Sequence, residues 1–327
     1  MDSIINKLRE KAKKNPKRIV FPEAGDDRVV EATKYIEKEG IAYPLLLTHD
    51  NLEPERQEEF ANIFYERKRA KGVSFEEARE LMENPLYYAS MMARYGYADG
   101  FVAGAKFTTS AVLRTAINSL EIDRSIGLIS SCFIMAVPNC TYGERGVFVY
   151  ADCGVIPYPT SEQLANIAIS CARFTSDVLE VVPRVALLSF STKGSAEGRW
   201  VDKIRDAVEI ANSKNSGFSI DGELQADSAL VPEVAKIKLG ESDVAGRANV
   251  LIFPNLDAGN ICYKLTQRLA NARAVGPIVL GTIQPCSDLS RGCNIEDIID
   301  CTAVTVIRAQ RREAREAETE KQENRVI

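Results

Sequence analysis

The segment RVALLSFSTKGSAEG, residues 184–198, decides the class of fold because it joins a short apolar run to a polar loop and the start of a helix. An apolar run that ends at glycine and hydroxyl side chains is typical of a buried strand followed by a loop. The helical pattern then begins at about Glu197. Strand, loop and helix in this order form the repeating unit of an α/β protein.

The same unit recurs along the chain. Amphipathic helical patterns separate further apolar runs, which we predict to be strands: RIVFP (18–22), YPLLLT (43–48), ADGFVAGA (98–105), SIGLISSCFIMAVP (125–138), RGVFVYADCG (145–154) and GPIVLGT (276–282). A chain of 327 residues is long for one core, and its apolar runs start a second unit near Ser131. We therefore predict a two-domain α/β fold with mostly parallel sheets.

Composition and charge exclude several classes of protein. Hydrophobic residues make up 45% of the chain and charged residues 27%, with a net charge of -5 and a pI near 5.3. The sequence lacks the basic stripe that is expected of a nucleic-acid-binding protein. No apolar run is long enough to span a bilayer. The first 17 residues have the spacing of an amphipathic helix and not of a signal peptide. We therefore expect a cytoplasmic protein that binds neither nucleic acid nor membrane.

Cysteine, histidine and acidic residues give no metal site. The eight cysteines lack CxxC spacing, so we expect free, mostly buried thiols, with Cys293 as the one that could line a site and react with thiol reagents. His49 is the single histidine, and we expect it in a loop. DGELQADSALVP (221–232) carries three acids, which favour a decorated turn over a divalent-cation site.

The stretch PCSDLSRGCNIEDI, residues 285–298, predicts a turn that opens a helix. Asn294 is a candidate N-cap with Asp297 as its partner three residues later. Ser290 and Arg291 precede this helix start, where unpaired backbone N–H groups can hold an anion. It is equally consistent with the pattern that Asn294 and Asp297 only cap the helix and that Arg291 pairs with a surface carboxylate.

Three other segments carry groups that suit an anion. The loop after the strand at 184–188 contains Ser191, Thr192, Lys193, Gly194 and Ser195, although it lacks the spacing of a P-loop. Arg114 lies one turn into the helix that follows KFTTS. The cluster ERKRAKG (66–72), with Arg67 and Lys68, is more often a solvated face than a site for a polyphosphate.

Several runs together resemble the phosphate acetyl/butyryltransferase family, and within it phosphate acetyltransferase (phosphotransacetylase). They are LSFSTKGSA, DGELQAD, VAGRANVLIFPNLDAGNICYKLTQRLA, GPIVLGTIQP and DLSRGC, with FPEAGDDRVVEA, YERKRAKG, TTSAVLRTAI and VPNCTYG in the first half. The similarity extends to about Ala309. Independent motifs of this length, in this order, are far more specific than one glycine pattern.

The resemblance implies a two-domain, three-layer α/β/α fold of the isocitrate/isopropylmalate dehydrogenase type, with an active-site cleft between domains. Residues 1–130 with 285–327 would form one domain and 131–284 the other. The implied reaction is reversible transfer of an acetyl group between acetyl phosphate and coenzyme A, with acetyl-CoA and phosphate on the other side and no cofactor. The family also implies a homodimer and a metabolic link to acetate kinase. The alternatives are phosphate butyryltransferase activity, a metal-dependent NAD dehydrogenase of related fold, and a non-catalytic coenzyme A-binding paralogue.

By resemblance, DLSRGCNIED places Ser290, Arg291 and Asp297 at the positions of the family's catalytic serine, arginine and aspartate, and Arg114 at that of a substrate-binding arginine. One departure is Lys68, which stands where the family has an arginine. Lysine lacks the bidentate fork, although Arg67 or Arg69 could take its place after a shift of one residue. A second departure is ADCGVIPYP (151–159), where relatives often read NPNP, next to the expected acyl group.

The chemistry needs a thiolate, because a neutral thiol is a poor nucleophile. A thiol ionises near pH 8.5 and an ordinary aspartate near pH 3.9, a gap of roughly 4.6 pKa units or about 6 kcal/mol. Burial of the base, or Arg291 stabilising the developing negative charge, would close this gap. We hypothesise that Asp297 takes the proton, Ser290 hydrogen-bonds the acyl oxygen and Arg291 holds phosphate, without an acyl-enzyme.

Overall fold

The computed structural model describes residues 2–214 and 217–326. The chain divides into two compact units. The terminal unit comprises Ile5–Glu121 and Thr282–Ile327, and the middle unit comprises Met1–Ile4 and Ile122–Gly281. Because the terminal unit is assembled from both ends of the chain, its last helix returns to strands made at the start.

The terminal unit is a parallel sheet with helices. Its strands are β1 (Arg18–Phe21), β2 (Tyr43–Leu46), β3 (Gly100–Ala103) and β10 (Cys286–Asp288), in the order β2-β1-β3-β10. Its helices are α1 (Asp2–Lys13), α2 (Asp27–Lys38), α3 (Pro54–Lys68), α4 (Phe75–Glu83), α5 (Pro85–Arg94), α6 (Thr109–Ser119) and α13 (Ile295–Val326). The predicted strands at 18–22, 43–48 and 98–105 are confirmed.

The direction of the chain explains the two helical layers of this unit. β2 lies on one side of β1 and β3 on the other, so right-handed crossovers place their connecting helices on opposite faces of the sheet. α13 packs against α2 and β3, whereas α5 packs against α6 and β3. All four residues of β3 are buried, as expected for a strand covered on both faces.

Two parts of the terminal unit differ from the sequence-based prediction. Residues 285–298 were predicted as a turn, but Cys286–Asp288 form β10, which pairs with β3 and is fully buried. Ser287 and Asp288 are polar residues typical of a loop. They form a strand because they pair with β3, which is distant in sequence. The polar region from 50 to 71 contains α3, a helix of 15 residues with a weak apolar stripe.

The middle unit is a mixed sheet in the order β9-β4-β5-β8-β6-β7. β4 is antiparallel to β5 and β9, and the remaining pairs are parallel. The strands are β4 (Ser130–Ala136), β5 (Val147–Ala151), β6 (Arg184–Leu188), β7 (Ser219–Leu224), β8 (Val250–Ile252) and β9 (Arg273–Leu280). The helices are α7 (Tyr142–Arg145), α8 (Ser161–Phe174), α9 (Arg199–Ser213), α10 (Ala226–Leu230), α11 (Pro232–Leu239) and α12 (Leu256–Leu269).

The segment RVALLSFSTKGSAEG (184–198) folds as predicted. Residues 184–188 form β6, the polar loop follows, and α9 begins at Arg199. The acidic segment after it was predicted as a turn, and this was wrong, because Asp221 and Glu223 lie on β7. The mostly parallel α/β architecture is confirmed.

The cysteines and the histidine occupy defined places in the fold. All eight cysteines are free thiols, and six of them are buried. His49 lies in a 3₁₀ turn after β2, where its Nδ1 is 3.1 Å from the Glu83 carbonyl oxygen. Each helix within the described ranges is too short or too polar to cross a lipid bilayer.

Candidate active site

Three loops of the terminal unit follow neighbouring parallel strands and therefore meet at one edge of the sheet. They are the β1 loop (residues 22–26), the β3 loop (104–108) and the Ser290 turn (289–294). Ligands of open α/β sheets bind at the carboxyl ends of the strands. We therefore expect the ligand site of this unit at this edge.

The Ser290 turn is closed by its own hydrogen bonds. The backbone N–H of Cys293 donates to the Ser290 carbonyl oxygen at 2.8 Å, and that of Gly292 donates to Ser290 Oγ at 3.2 Å. The side chains of Ser290 and Arg291 are exposed. The turn thus presents a hydroxyl and a guanidinium at adjacent positions on a fixed backbone.

Asp297 stands at the start of α13 in a reciprocal cap with Asn294. The Asn294 N–H donates to Asp297 Oδ2, and the Asp297 N–H donates to Asn294 Oδ1, each at 2.9 Å. The predicted capping box is confirmed. Asp297 is half-buried, and one of its carboxylate oxygens is held by the cap.

Arg28 joins the three loops. Its guanidinium donates to the carbonyl oxygens of Arg291 and Cys293 at 2.9 and 2.8 Å, and to that of Ala105 at 2.9 Å. The same side chain is paired with Asp26, and this pairing holds the pKa of the Asp26 carboxyl below its usual range. Arg28 therefore fixes the Ser290 turn relative to the other two loops.

Glu23 performs a similar task for the β3 loop. Its buried carboxylate accepts backbone N–H groups from Gly104, Ala105, Lys106 and Phe107 at 2.6 to 3.0 Å. Neither Glu23 nor Arg28 was predicted as a site residue. Both lie in FPEAGDDR, one of the motifs behind the resemblance, and the available signals were the position of Glu23 directly after a buried strand and that of Arg28 at the start of the next helix.

Arg291 and Arg114 have the features of ligand-binding arginines. Both are exposed, and neither guanidinium forms an ion pair with a carboxylate in residues 2–214 or 217–326. The alternative that Arg291 pairs with a surface carboxylate is therefore wrong for the described chain. Two guanidinium groups without a carboxylate partner in the described ranges leave positive charge for an anionic ligand.

The basic cluster packs against the end of α6. Lys68 Nζ donates to Asn118 Oδ1 at 3.3 Å, and Arg67 donates to the Ser119 carbonyl oxygen at 3.0 Å. Burial, followed by the neighbouring charges of Lys71, Arg67 and Arg94, lowers the pKa of Lys68. Asn118 lies four residues after Arg114 and so on the same face of α6. Positive charges gathered at the end of α6 repel one another, and a bound anion would relieve this repulsion.

In the middle unit, the Ser191 to Ser195 loop is built on Glu223. The Glu223 carboxylate accepts from Ser191 Oγ and the Gly194 N–H, both at 2.9 Å, and from Arg205 Nε at 3.1 Å. Burial alone would raise the pKa of Glu223, but Arg205 and the N–H donors outweigh it and lower the value to about 2. The carboxylate is thus the fixed anionic centre of this loop.

Other side chains of the loop are also engaged within the middle unit. Lys193 Nζ donates to Asp221 and to the Gly222 carbonyl oxygen, and Thr192 Oγ1 accepts from the Gln225 N–H at 2.9 Å. Ser195 Oγ accepts from the Thr192 N–H at 2.9 Å. The acids of β7 therefore bind groups of the loop. The described residues contain no acidic, cysteine or histidine cluster that could hold a metal ion.

The segment that departs from NPNP is organised by Asp152. Its buried carboxylate accepts from Ser131 Oγ at 2.6 Å and from the N–H groups of Gly154, Val155 and Ile156 at 2.8 to 3.2 Å. Asp152 therefore shapes the part of this loop that precedes Pro157.

Cys293 differs from the prediction of a reactive thiol. The residue is 6% exposed, and burial raises the pKa of its thiol to about 11, although Arg28 opposes the rise. A protonated, buried thiol reacts slowly with thiol reagents. Its sulfur lies 3.8 Å from the Arg28 guanidinium.

The predicted site residues thus fall into three sets. Ser290 and Arg291 lie in the Ser290 turn and Asp297 at the start of α13, which follows it, while Arg67, Lys68 and Arg114 lie at or beside α6 in the same unit. The Ser191 to Ser195 loop belongs to the middle unit.

Comparison with known proteins agrees with these motifs. Residues 3–306 match the family described as Phosphate acetyl/butaryl transferase. A phosphate acetyltransferase from Thermoanaerobacterium thermosaccharolyticum is 47% identical over an alignment covering 94% of this chain and 100% of the relative. A phosphotransacetylase structure from Streptococcus pyogenes has a TM-score of 0.85 and 35% identity, covering 95% of this chain and 99% of that one. A second one, from Staphylococcus aureus, has a TM-score of 0.81 and 34% identity, covering 94% and 98%. A family match over most of the chain and this level of identity show that the chain belongs to the phosphate acetyl/butyryl transferase family.

Proposed function

We propose that this chain is a phosphate acetyltransferase, which moves an acetyl group reversibly between acetyl phosphate and coenzyme A. The observation that carries the proposal is the Ser290 turn, in which an exposed hydroxyl and a guanidinium without a carboxylate partner among the described residues stand beside the cap carboxylate of Asp297. These three groups supply what acyl transfer from a phosphate needs: an anion holder, a hydrogen-bond donor and a proton acceptor.

In the forward direction, Asp297 takes the proton from the thiol of coenzyme A. The thiolate attacks the acyl carbon, the carbon–oxygen bond to phosphate breaks, and phosphate leaves. Ser290 donates to the acyl oxygen as negative charge develops there, and Arg291 holds the phosphoryl group. Holding both substrates together replaces a bimolecular encounter and supplies much of the rate.

Coenzyme A carries phosphates far from its thiol, and the basic groups of the terminal unit suit them. Arg114, Arg67 and Lys68 are proposed to bind this end, because they gather positive charge along and beside α6. Ser191, Thr192, Lys193, Gly194 and Ser195 are retained as substrate-binding candidates. Their backbone is rigid because Glu223 holds it, although Lys193 is already paired with Asp221.

The test is thioester formation followed by absorbance with purified protein, coenzyme A and either acetyl or butyryl phosphate, with phosphate release measured in parallel. Rapid turnover with acetyl phosphate and much slower turnover with butyryl phosphate is expected. Preference for butyryl phosphate would move the assignment to phosphate butyryltransferase. Binding of coenzyme A without turnover of either substrate would support a non-catalytic binding protein.

We also propose that the protein is a homodimer that pairs through α12. Ile261, Leu265 and Leu269 are 57%, 52% and 80% exposed and form one stripe at helical spacing. Asp257 and Arg268 are exposed near opposite ends of the helix. Two antiparallel copies of α12 would cover the stripe and place Asp257 opposite Arg268 of the partner subunit, so the surface is complementary to itself.

Light scattering coupled to size-exclusion chromatography tests this pairing. The wild type should elute as a dimer and Leu265→Glu as a monomer, while Ile237→Glu, at an exposed apolar residue of α11, should remain a dimer. A dimer that persists in Leu265→Glu would place the interface elsewhere. Cytoplasmic location and a metabolic link to acetate kinase remain predictions.

A further inference from the structure

Asp288 is a buried acid two residues before Ser290 that the proposed reaction does not use. It is the last residue of β10, it pairs in register with Ala103 of β3, and it is 0% exposed. Within the described chain, neither oxygen of its carboxyl group has a hydrogen-bond partner. A buried polar group without a partner is rare and requires an explanation.

The packing around Asp288 places it between the β3 loop and the Ser290 turn. A Cβ atom at Gly104 would lie 2.4 Å from Asp288 Oδ1 and 2.6 Å from the backbone nitrogen and oxygen of Leu289. Gly104 also has a φ of +118°, a conformation that favours glycine. Both the close contacts and the backbone conformation therefore require glycine at this position. The carboxyl of Asp288 therefore rests directly on the backbone of the β3 loop, and Leu289 connects it to Ser290.

A second carboxyl contacts the same glycine. Gly104 donates its N–H to Glu23 Oε2 at 2.9 Å, and three further N–H groups saturate the Glu23 carboxylate. The Glu23 carboxylate thus accepts four hydrogen bonds, whereas the Asp288 carboxyl has no hydrogen-bond partner within the described residues. When two nearby carboxyls have unequal hydrogen bonding, the poorly solvated one keeps its proton.

The groups that face Asp288 agree with this assignment. Burial raises the pKa of Asp288 to about 7, and the charge of Glu23 adds to the rise. From α6 and the turn, the Thr109 side chain and the Leu289 N–H face the carboxyl and oppose the rise, without meeting hydrogen-bond geometry. On its own strand, Cys286 is a buried thiol whose pKa is raised to about 12, so it stays neutral beside Asp288.

We propose that Asp288 is a positioning residue for the Ser290 turn and that it performs this role as a neutral carboxylic acid. In this form the carboxyl packs against Gly104 and holds β10 in register with β3, which fixes Leu289 and the turn that follows. Loss of the proton puts an unpaired charge next to Glu23, and the turn shifts away from the β3 loop. The inference rests on the proposed function, since its consequence is a loss of acetyl transfer at alkaline pH.

The test is the pH dependence of kcat and KM for wild-type protein and Asp288→Asn, with coenzyme A and acetyl phosphate, from about pH 5.5 to about pH 9. The amide is isosteric and cannot ionise. We expect the ratio of kcat for Asp288→Asn to kcat for wild type to rise several-fold through a midpoint near pH 7, with a nearly constant ratio of KM values. Ionisation of the substrate thiol cancels in this ratio because both proteins use the same substrate.

Ser287→Ala is the matched control. Ser287 is also buried on β10 and hydrogen-bonds Thr305 at 2.8 Å, so its loss perturbs the strand without removing a titrating group. Its kcat ratio to wild type should not change with pH. A flat ratio for Asp288→Asn, equal to that of Ser287→Ala, would overturn the inference, whereas absence of turnover in the wild type at pH 6 would overturn the proposed function instead.

A direct titration keeps the inference testable if Asp288→Asn does not fold. Infrared or carbon NMR spectra of wild-type protein labelled at aspartate carboxyls should show a protonated carboxyl that titrates near pH 7. An ensemble in which every aspartate is ionised by pH 6 would contradict the neutral form of Asp288.

Discussion

Asn294 and Asp297 hold each other through two hydrogen bonds of 2.9 Å across the first turn of α13. The residue proposed to take the thiol proton is therefore also half of a helix cap. Stability and catalysis depend on different atoms of this pair, because the cap uses the Asn294 side chain and one Asp297 oxygen. Substitutions can separate the two roles.

Asp297→Asn should lower kcat about 100-fold or more, because the amide cannot accept the thiol proton. Asn294→Ala should keep kcat within about threefold but lower the free energy of unfolding by about 1 kcal/mol, since the Asp297 N–H loses its acceptor. Steady-state kinetics and urea denaturation measure the two effects. A near-normal kcat in Asp297→Asn would remove this residue from the role of base.

Arg291→Ala should lower kcat strongly, because its charge meets the phosphoryl group as the bond breaks. Arg114→Ala should instead raise a KM about tenfold, with kcat little changed, since it holds a part of the substrate that does not react. Lys34→Ala, at an exposed residue of α2, is the control for loss of one positive charge. Equal effects of Arg291→Ala and Arg114→Ala on kcat would contradict this division.

Lys68→Ala should raise the KM for coenzyme A by about tenfold, and Lys68→Arg should lower it, because arginine restores a bidentate phosphate contact. Lys71→Ala, three residues along the chain, removes a neighbouring exposed charge and should have little effect. The four KM values, measured at low and high ionic strength, decide the point. If Lys68→Ala behaves like Lys71→Ala, the basic cluster is only a solvated surface.

Glu223→Gln should destabilise the protein at pH 7 by about 2 kcal/mol, a typical value for lost hydrogen bonds to a charged group. The pKa of Glu223 is lowered from 4.5 to about 2, so its contribution is complete above about pH 4.5 and disappears as the pH falls through about 2. Urea denaturation from neutral to acid pH should therefore show the two proteins converging. Glu209→Gln, at an exposed residue of α9, should follow the wild type, and a constant difference for Glu223→Gln would contradict the lowered pKa.

Local patterns explain what could be predicted from the sequence. The strands at 18–22 and 184–188 have continuous apolar runs, and the cap of α13 depends on residues only three positions apart. β10 could not be predicted in the same way, because three residues with two polar side chains become a strand only beside β3. The predicted turn at 221–232 failed for a similar reason, since β7 carries acids that loop and helix side chains neutralise.

The missed site residues act over long separations in sequence. Glu23 binds N–H groups 81 to 84 positions away, and Arg28 binds carbonyl oxygens 263 and 265 positions away. No periodicity or spacing encodes such contacts. Sequence motifs identified the residues that are proposed to bind substrate. The structure adds Glu23 and Arg28, which hold the loops in place.

The assembly of the terminal unit from both ends of the chain also sets an order of biosynthesis. On the ribosome, β1, β2 and β3 emerge early, but β3 has no neighbour on its second edge until Cys286–Asp288 are translated. All strands of the middle unit have been translated by Leu280, so this unit can fold while the second edge of β3 is still unpaired. A nascent chain therefore carries its basic side chains at α3 and α6 long before it receives the Ser290 turn, and it gains the proposed chemistry only as translation ends.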